Sequence, residues 1–259
     1  SIAAKNEAVA SCAYHYKGLY FSSVCNYQQA SKEFLKAIES TQDETEKVSQ
    51  VESYVRNGLK IASSQELISF TLEHIAQVTD SDNHARLLFL LAMLYREMKE
   101  TVLATACEIK ALTLSPSIGD NRFYIAYKTP DSLIPLAALQ YSILASQNNP
   151  SAMALNNLGV LCQEHGMPIK SFKLYTKSRV AGNTLSDANI AYKYIEIGDI
   201  DTASKILKEA EKAEKVHKNV KSAELAIVTN QEDEVKKWEE LLDSGQKVHD
   251  FLISYLDKY

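Results

Sequence analysis

Cys162 and His165 stand three residues apart, as do Cys12 and His15. On a helix that spacing puts both side chains on one face, where a thiolate and an imidazole could share a metal ion or act as nucleophile and base. Neither pair has another Cys or His close by in sequence to complete a site, and His74, His84, His217 and His249 are scattered. The chain has no Gly-rich phosphate loop, no nucleophile elbow and no zincin helix. Both Cys/His pairs are therefore expected to pack rather than react, and the chain is expected to be no enzyme, with no catalytic residue, metal or cofactor.

The elements around these residues follow from composition. Of 259 residues, 46% are hydrophobic and 24% charged, which fits an ordered chain long enough for two domains or an extended array. Eight Gly and five Pro are too few for the turns of a β-rich fold and favour long helices. A net charge of -5 gives no general footprint for nucleic acid or an anionic membrane, and no apolar run approaches the ~20 residues that cross a bilayer. The four cysteines are too sparse for a disulfide scaffold and read as reduced, mostly buried thiols in a cytoplasmic protein. The first residues have no signal-peptide layout and lack an initiator Met, which suggests a fragment or a processed chain.

Small residues seven apart recur along the sequence: Ala30 and Ala37, Ser69 and Ala76, Ala104 and Ala111, Ala138 and Ala145, Ser171 and Ser178, Ala203 and Ala210. The steps between first members are 39, 35, 34, 33 and 32 residues. Seven residues make two helical turns, so each pair marks one face on which a neighbouring helix can approach closely. Twelve residues before most of these pairs stands another small residue, namely Gly18, Ala92, Ala126, Gly159 or Ala191, as the contact point of a preceding helix.

This pattern resembles the tetratricopeptide repeat family, a helix-turn-helix unit of about 34 residues. The resemblance rests on Tyr14, Gly18, Phe21, Ala30, Phe34 and Ala37 in the first unit and on Leu88, Leu91-Ala92, Tyr95, Ala104, Ala111 and Pro116 in the third. The fifth adds Leu155, Leu158-Gly159, Gly166 and Tyr175, and the sixth Ile190-Ala191, Tyr194, Gly198-Asp199 and Ala203. It implies an all-α solenoid, a right-handed superhelix of antiparallel helix pairs, with about six or seven repeats. As one domain over 1–259, the units run roughly 11–44, 45–83, 85–118, 119–150, 152–183 and 184–215. A degenerate pair at 218–243 and a capping helix at 246–258 then close the array. The second unit departs from the pattern, with Gly58 inside a helical stretch, and Thr129-Pro130 should stop the first helix of the fourth unit near Lys128.

In such an array the first helix of each unit lines the inner wall. The resemblance assigns to that wall Tyr16, Phe89, Met93, Phe123, Tyr124, Tyr127, Asn156, Asn157, Asn189 and Tyr192, beside His15, Leu90 and Val160. The lining is thus expected to be aromatic with paired amides and uncharged. Asn157 and Asn189 fall where peptide-binding members of the family often place Asn, whose amide can pair with both N–H and C=O of an extended backbone. Interhelix bonding is the competing role for these amides. The carboxylate clamp of chaperone-tail receptors needs Lys and Arg, whereas Leu19, Met153 and Leu185 stand at comparable places here. The expected function is a non-catalytic module that binds a peptide or protein segment in the concave groove, with no nucleic-acid or membrane partner. The alternative is a sensor or assembly arm of a larger effector. Trp238, the only tryptophan, is expected in the core of the last repeat, the competing role being an exposed anchor for a partner, and the amphipathic stretch from Gln246 is expected as the lid of that repeat, the competing role being a partner-binding helix.

Overall fold

The computed structural model describes residues 2–115 and 121–256. Every regular element among them is helical. The order is α1 (Ile2–Ser23), α2 (Tyr27–Ser40), α3 (Glu44–Gly58), α4 (Ser64–Ile75), α5 (Ser81–Glu97), α6 (Thr101–Leu114) and α7 (Arg122–Lys128). A 3-10 turn, Asp131–Leu133, leads into α8 (Ile134–Ala145), followed by α9 (Ala152–Glu164), α10 (Pro168–Val180), α11 (Thr184–Glu196), α12 (Ile200–Ala210) and α13 (Lys218–Leu256). Helices α1 and α2, α3 and α4, α5 and α6, α9 and α10, and α11 and α12 pack as hairpins, and within each unit α2 touches α3, α4 touches α5, α6 touches α7 and α10 touches α11. Pro116 and Tyr259, with residues 117–120, 257 and 258, lie outside the described residues.

The chain divides into two compact units, up to Gln140 and from Tyr141 onward. In the first unit, Val48, Val51, Val55, Leu67, Leu87, Leu91 and Leu94 form a continuous core through α3, α4 and α5. In the second, Tyr175, Ala188, Ala191, Ala203, Leu207, Val220, Ala223 and Ile227 do the same from α10 to the start of α13.

The sequence sets the helix ends. Asp43, Asp80, Ser151 and Asp199 each accept a backbone N–H in the first turn they precede, and Ser63 with Glu66 forms a reciprocal capping box. α7 ends at Lys128, where Thr129-Pro130 cannot continue a helix.

Close approach follows the small residues in most hairpins. Ala30, Ala37, Ala104, Ala111, Ser171, Ser178, Ala203 and Ala210 are all buried. At Gly159 a β-carbon would sit 2.7 Å from the Tyr175 ring, so only a bare backbone allows this crossing. Two hairpins differ. Ser69 and Ala76 are exposed, and α4 packs instead through Leu67, Ile68 and Thr71. In α8 the buried pair is Ala137 and Leu144, one residue earlier than Ala138 and Ala145.

The expected helix pair at 218–243 and separate capping helix are instead the single helix α13. No Pro interrupts it, and Gly245 alone does not break a long run of helix formers. Val220, Ala223 and Ile227 seat its first turns against the second unit, where it packs on α11 and α12. From Val228 onward every residue whose side chain is described is exposed. Trp238 is therefore not a core residue: it is 59% exposed.

Candidate functional site

The inner-wall residues separate into two groups. In the first unit a cleft of about 660 Å³ lies among α3, α5, α6 and α7. Of the candidates named from the sequence, Phe89 and Met93 of α5 and Tyr124 of α7 line it, together with Leu90 and Ile125. The uncharged lining is overturned, because Arg56, Arg86, Arg96 and Lys128, with Glu52, Glu97 and Glu108, also face the cleft.

Two of these arginines are fixed by paired contacts. Arg86 donates from Nε and Nη2 to the two carboxylate oxygens of Glu52 (3.2 and 2.8 Å), and Nη2 also reaches Ser49 Oγ at 2.9 Å. Arg96 makes the same two-pronged contact with Glu108, which gives the buried Glu its counter-charge, and also reaches the Lys128 carbonyl at 3.4 Å. Arg56 differs: its guanidinium has no carboxylate partner among the described residues and rests on Met93 Sδ at 3.8 Å. The cleft thus offers an apolar floor with an exposed aromatic, Tyr124 at 60%, beside a free guanidinium.

These arginines were legible in part. Arg86, Phe89, Met93 and Arg96 sit at offsets 0, 3, 7 and 10 along one stripe of α5, so the stripe that supplied Phe89 and Met93 also supplied both cations. Arg86 and Glu52 are 34 residues apart, one repeat period.

In the second unit the amides form a ladder. Asn156, only 1% exposed, accepts at Oδ1 from Ser186 Oγ (2.8 Å) and from Asn189 Nδ2 (2.9 Å). Its own Nδ2 donates to Asn157 Oδ1 at 3.3 Å, and Asn157 Nδ2 donates to the Tyr141 hydroxyl at 3.0 Å. Asn156 therefore lies beneath, holding α9 to α11, while Asn157 and Asn189 are half-buried with bonding capacity left over. Tyr192 packs partly buried against the core of this unit.

The remaining candidates line neither the cleft nor the amide ladder, though Phe123 meets the cleft residue Tyr124 edge-on with ring centroids 5.8 Å apart. Tyr16 is exposed beside Tyr20 in a shallow depression between α1 and α2. Tyr127 is exposed, its ring parallel to that of Phe123 with centroids 6.4 Å apart.

Neither Cys/His pair assembles a site. Cys162 is buried while His165 is exposed at the end of α9. Cys12 Sγ lies 3.7 Å from Glu46 Oε1, whereas His15 Nε2 meets Ser53 Oγ at 3.0 Å, and burial pulls the His15 pKa down against the pull of Glu46. No group of three His, Cys, Asp or Glu suited to a metal occurs among the described residues. All four cysteines are free, and Cys12 and Cys25 are exposed rather than buried as expected. No described helix is long and apolar enough to cross a membrane.

No protein-family model matches the sequence, and no curated protein matches it. Solved structures do. A tetratricopeptide repeat protein from Parabacteroides merdae ATCC 43184 superposes with a TM-score of 0.52 at 14% identity, covering 86% of this chain and 87% of that one. The MamA protein superposes with a TM-score of 0.50 at 15% identity, covering 66% of this chain and 91% of that one. At such identities the likeness is one of fold.

Proposed function

Because the chain carries the tetratricopeptide-repeat fold, we propose that it is a non-catalytic module that binds an extended peptide or protein segment on its first-helix surfaces. The observation that carries this reading is the cleft of the first unit. Phe89, Met93 and Tyr124 there offer apolar contact beside Arg56, which is free to meet a carboxylate or a backbone carbonyl of the ligand. Rigid framing by the Arg86–Glu52 and Arg96–Glu108 pairs lowers the ordering cost of binding. Asn157 and Asn189, held by Asn156, form a second contact region whose spare amide groups suit a peptide backbone. The free thiols suit a reducing compartment, and the cytoplasm is the proposed location.

The test is selection of peptides on the intact chain from a displayed random library, with the winners then titrated against variants. Tyr124→Ala and Arg56→Ala both alter exposed side chains and should leave the fold intact, as circular dichroism will check. Each should weaken the selected peptides at least several-fold. Peptides that bind both variants as tightly as the parent chain would move the site away from this cleft.

A further inference from the structure

The second unit exposes two faces of opposite chemistry. One is on α10, which carries Lys170, Lys173, Lys177 and Arg179 and no carboxylate. Arg179 is committed to Asp187 (2.6 Å) and Glu209 (2.5 Å). The three lysines have no ion pair among the described residues. Beside them Phe172 and Ile169 reach into solvent, with Ile197, just past the end of α11, alongside; the two isoleucines are 75% and 76% exposed. Depressions of about 420 and 440 Å³ lie against the Phe172 ring. An apolar floor with a lysine rim is thus left uncovered.

The other face is on α13 beyond Ile227. Val228, Val235, Trp238, Leu241, Leu242 and Leu252 are all exposed and fall on one side of the helix. Glu232 and Glu239 run along one edge of that side, and residues 228–242 hold five carboxylates against two lysines. Glu232 and Glu239 are seven residues apart, as are Lys170 and Lys177. Each pair therefore spans two helical turns, about 10.5 Å. The acidic edge matches the basic rim in sign and in spacing, and the apolar stripe matches the apolar floor.

The two faces do not meet within one chain. α13 is continuous from Lys218, seated on α11 and α12, and its distal residues are exposed where described. We infer that α13 of one copy lies on α10 of a second copy, and that the exchange is reciprocal, giving a closed two-fold dimer. A one-way contact would need further copies to close a ring or would propagate into an open filament, whereas reciprocal exchange satisfies both faces with two copies alone. The apolar stripe supplies the affinity and the charged edges set partner and register.

Charge exchange tests this on the full chain. Sedimentation velocity over a wide concentration range should show a monomer–dimer equilibrium, and emission of Trp238 should shift to the blue as the dimer forms. Variant one carries Lys170→Glu and Lys177→Glu; variant two carries Glu232→Lys and Glu239→Lys. All four positions are exposed, and unchanged circular dichroism verifies the fold. Each variant alone should dimerise at least about tenfold more weakly, because both of its contacts set like charges together. An equimolar mixture of the two should recover the dimer, since each α10 then faces an α13 of opposite charge. A parent chain that is monomeric throughout with no shift in emission would overturn the inference. So would variant one dimerising as well as the parent chain, which would mean that α13 pairs with something other than α10. A mixture that fails to recover the dimer would overturn it as well.

Discussion

Replacing Asn156, Asn157 and Asn189 one at a time by Ala should separate the amide that holds the second unit together from those free to meet a ligand. Asn156→Ala removes one acceptor that serves Ser186 and Asn189 and one donor that serves Asn157, at a site 1% exposed to solvent. A net hydrogen bond between neutral groups contributes about 1 kcal/mol, and a buried polar group left unpaired costs about 1–3 kcal/mol. Ser186 Oγ keeps Ser178 Oγ at 2.7 Å, and half-buried Asn157 and Asn189 can turn to water, so not every loss is felt in full. The expected destabilisation is about 2–3 kcal/mol. Asn157→Ala breaks the contacts with Tyr141 and Asn156, and Asn189→Ala breaks one with Asn156. Water can replace these, so each should cost about 1 kcal/mol or less. Urea unfolding followed by circular dichroism, fitted for two units, measures the order, and peptide titration under native conditions measures the contact role. The reasoning is refuted if Asn157→Ala proves as costly as Asn156→Ala, or if Asn156→Ala costs nothing.

Gly159→Ala gains helix propensity worth about 1 kcal/mol but drives a β-carbon to 2.7 Å from the buried Tyr175 ring, where overpacking costs about 1–3 kcal/mol. The net effect should be destabilising in the same urea assay, and adding Tyr175→Leu should relieve the crowding. Gly245→Ala meets nothing within 4 Å and should raise the stability of α13 by about 1 kcal/mol, read as increased helicity. Glu44 is held down to about 2 by the Thr79 N–H, the Thr79 hydroxyl and the Asp80 N–H, ahead of Asn83. Its contribution is therefore present above the ordinary carboxylate value of 4.5 and disappears as pH falls towards 2. In an acid titration the stability gap between the parent chain and Glu44→Gln should close over that interval.

The repeat was legible because close helix crossings admit few residue types. Gly18, Ala30, Ala104, Gly159, Ser171 and Ala203 are small for one steric reason, and that reason recurs with the period. Where another device makes the contact, the pattern misleads. In α4 the bulk of Leu67 fits over Gly58, so Ser69 and Ala76 are left in solvent. α13 was misread because an amphipathic stripe declares a face to be covered and not what covers it. Val220 and Ile227 are buried against their own unit, whereas Trp238 and Leu242 are exposed, though all four are apolar. The same limit applies to the cleft, where Phe89 and Met93 were found by position. That Arg86 and Arg96 are taken by Glu52 and Glu108 while Arg56 is left without a carboxylate is a matter of three-dimensional pairing.

The ion pair between Glu52 and Arg86 and the amide contact between Asn156 and Asn189 join equivalent helices 34 and 33 residues apart. Ties of this kind are short-ranged along the chain, running between adjoining hairpins. Cohesion of this sort has no keystone. A hairpin added to or lost from the series asks for new partners only at its two seams, so array length is a variable that descent can alter in whole steps.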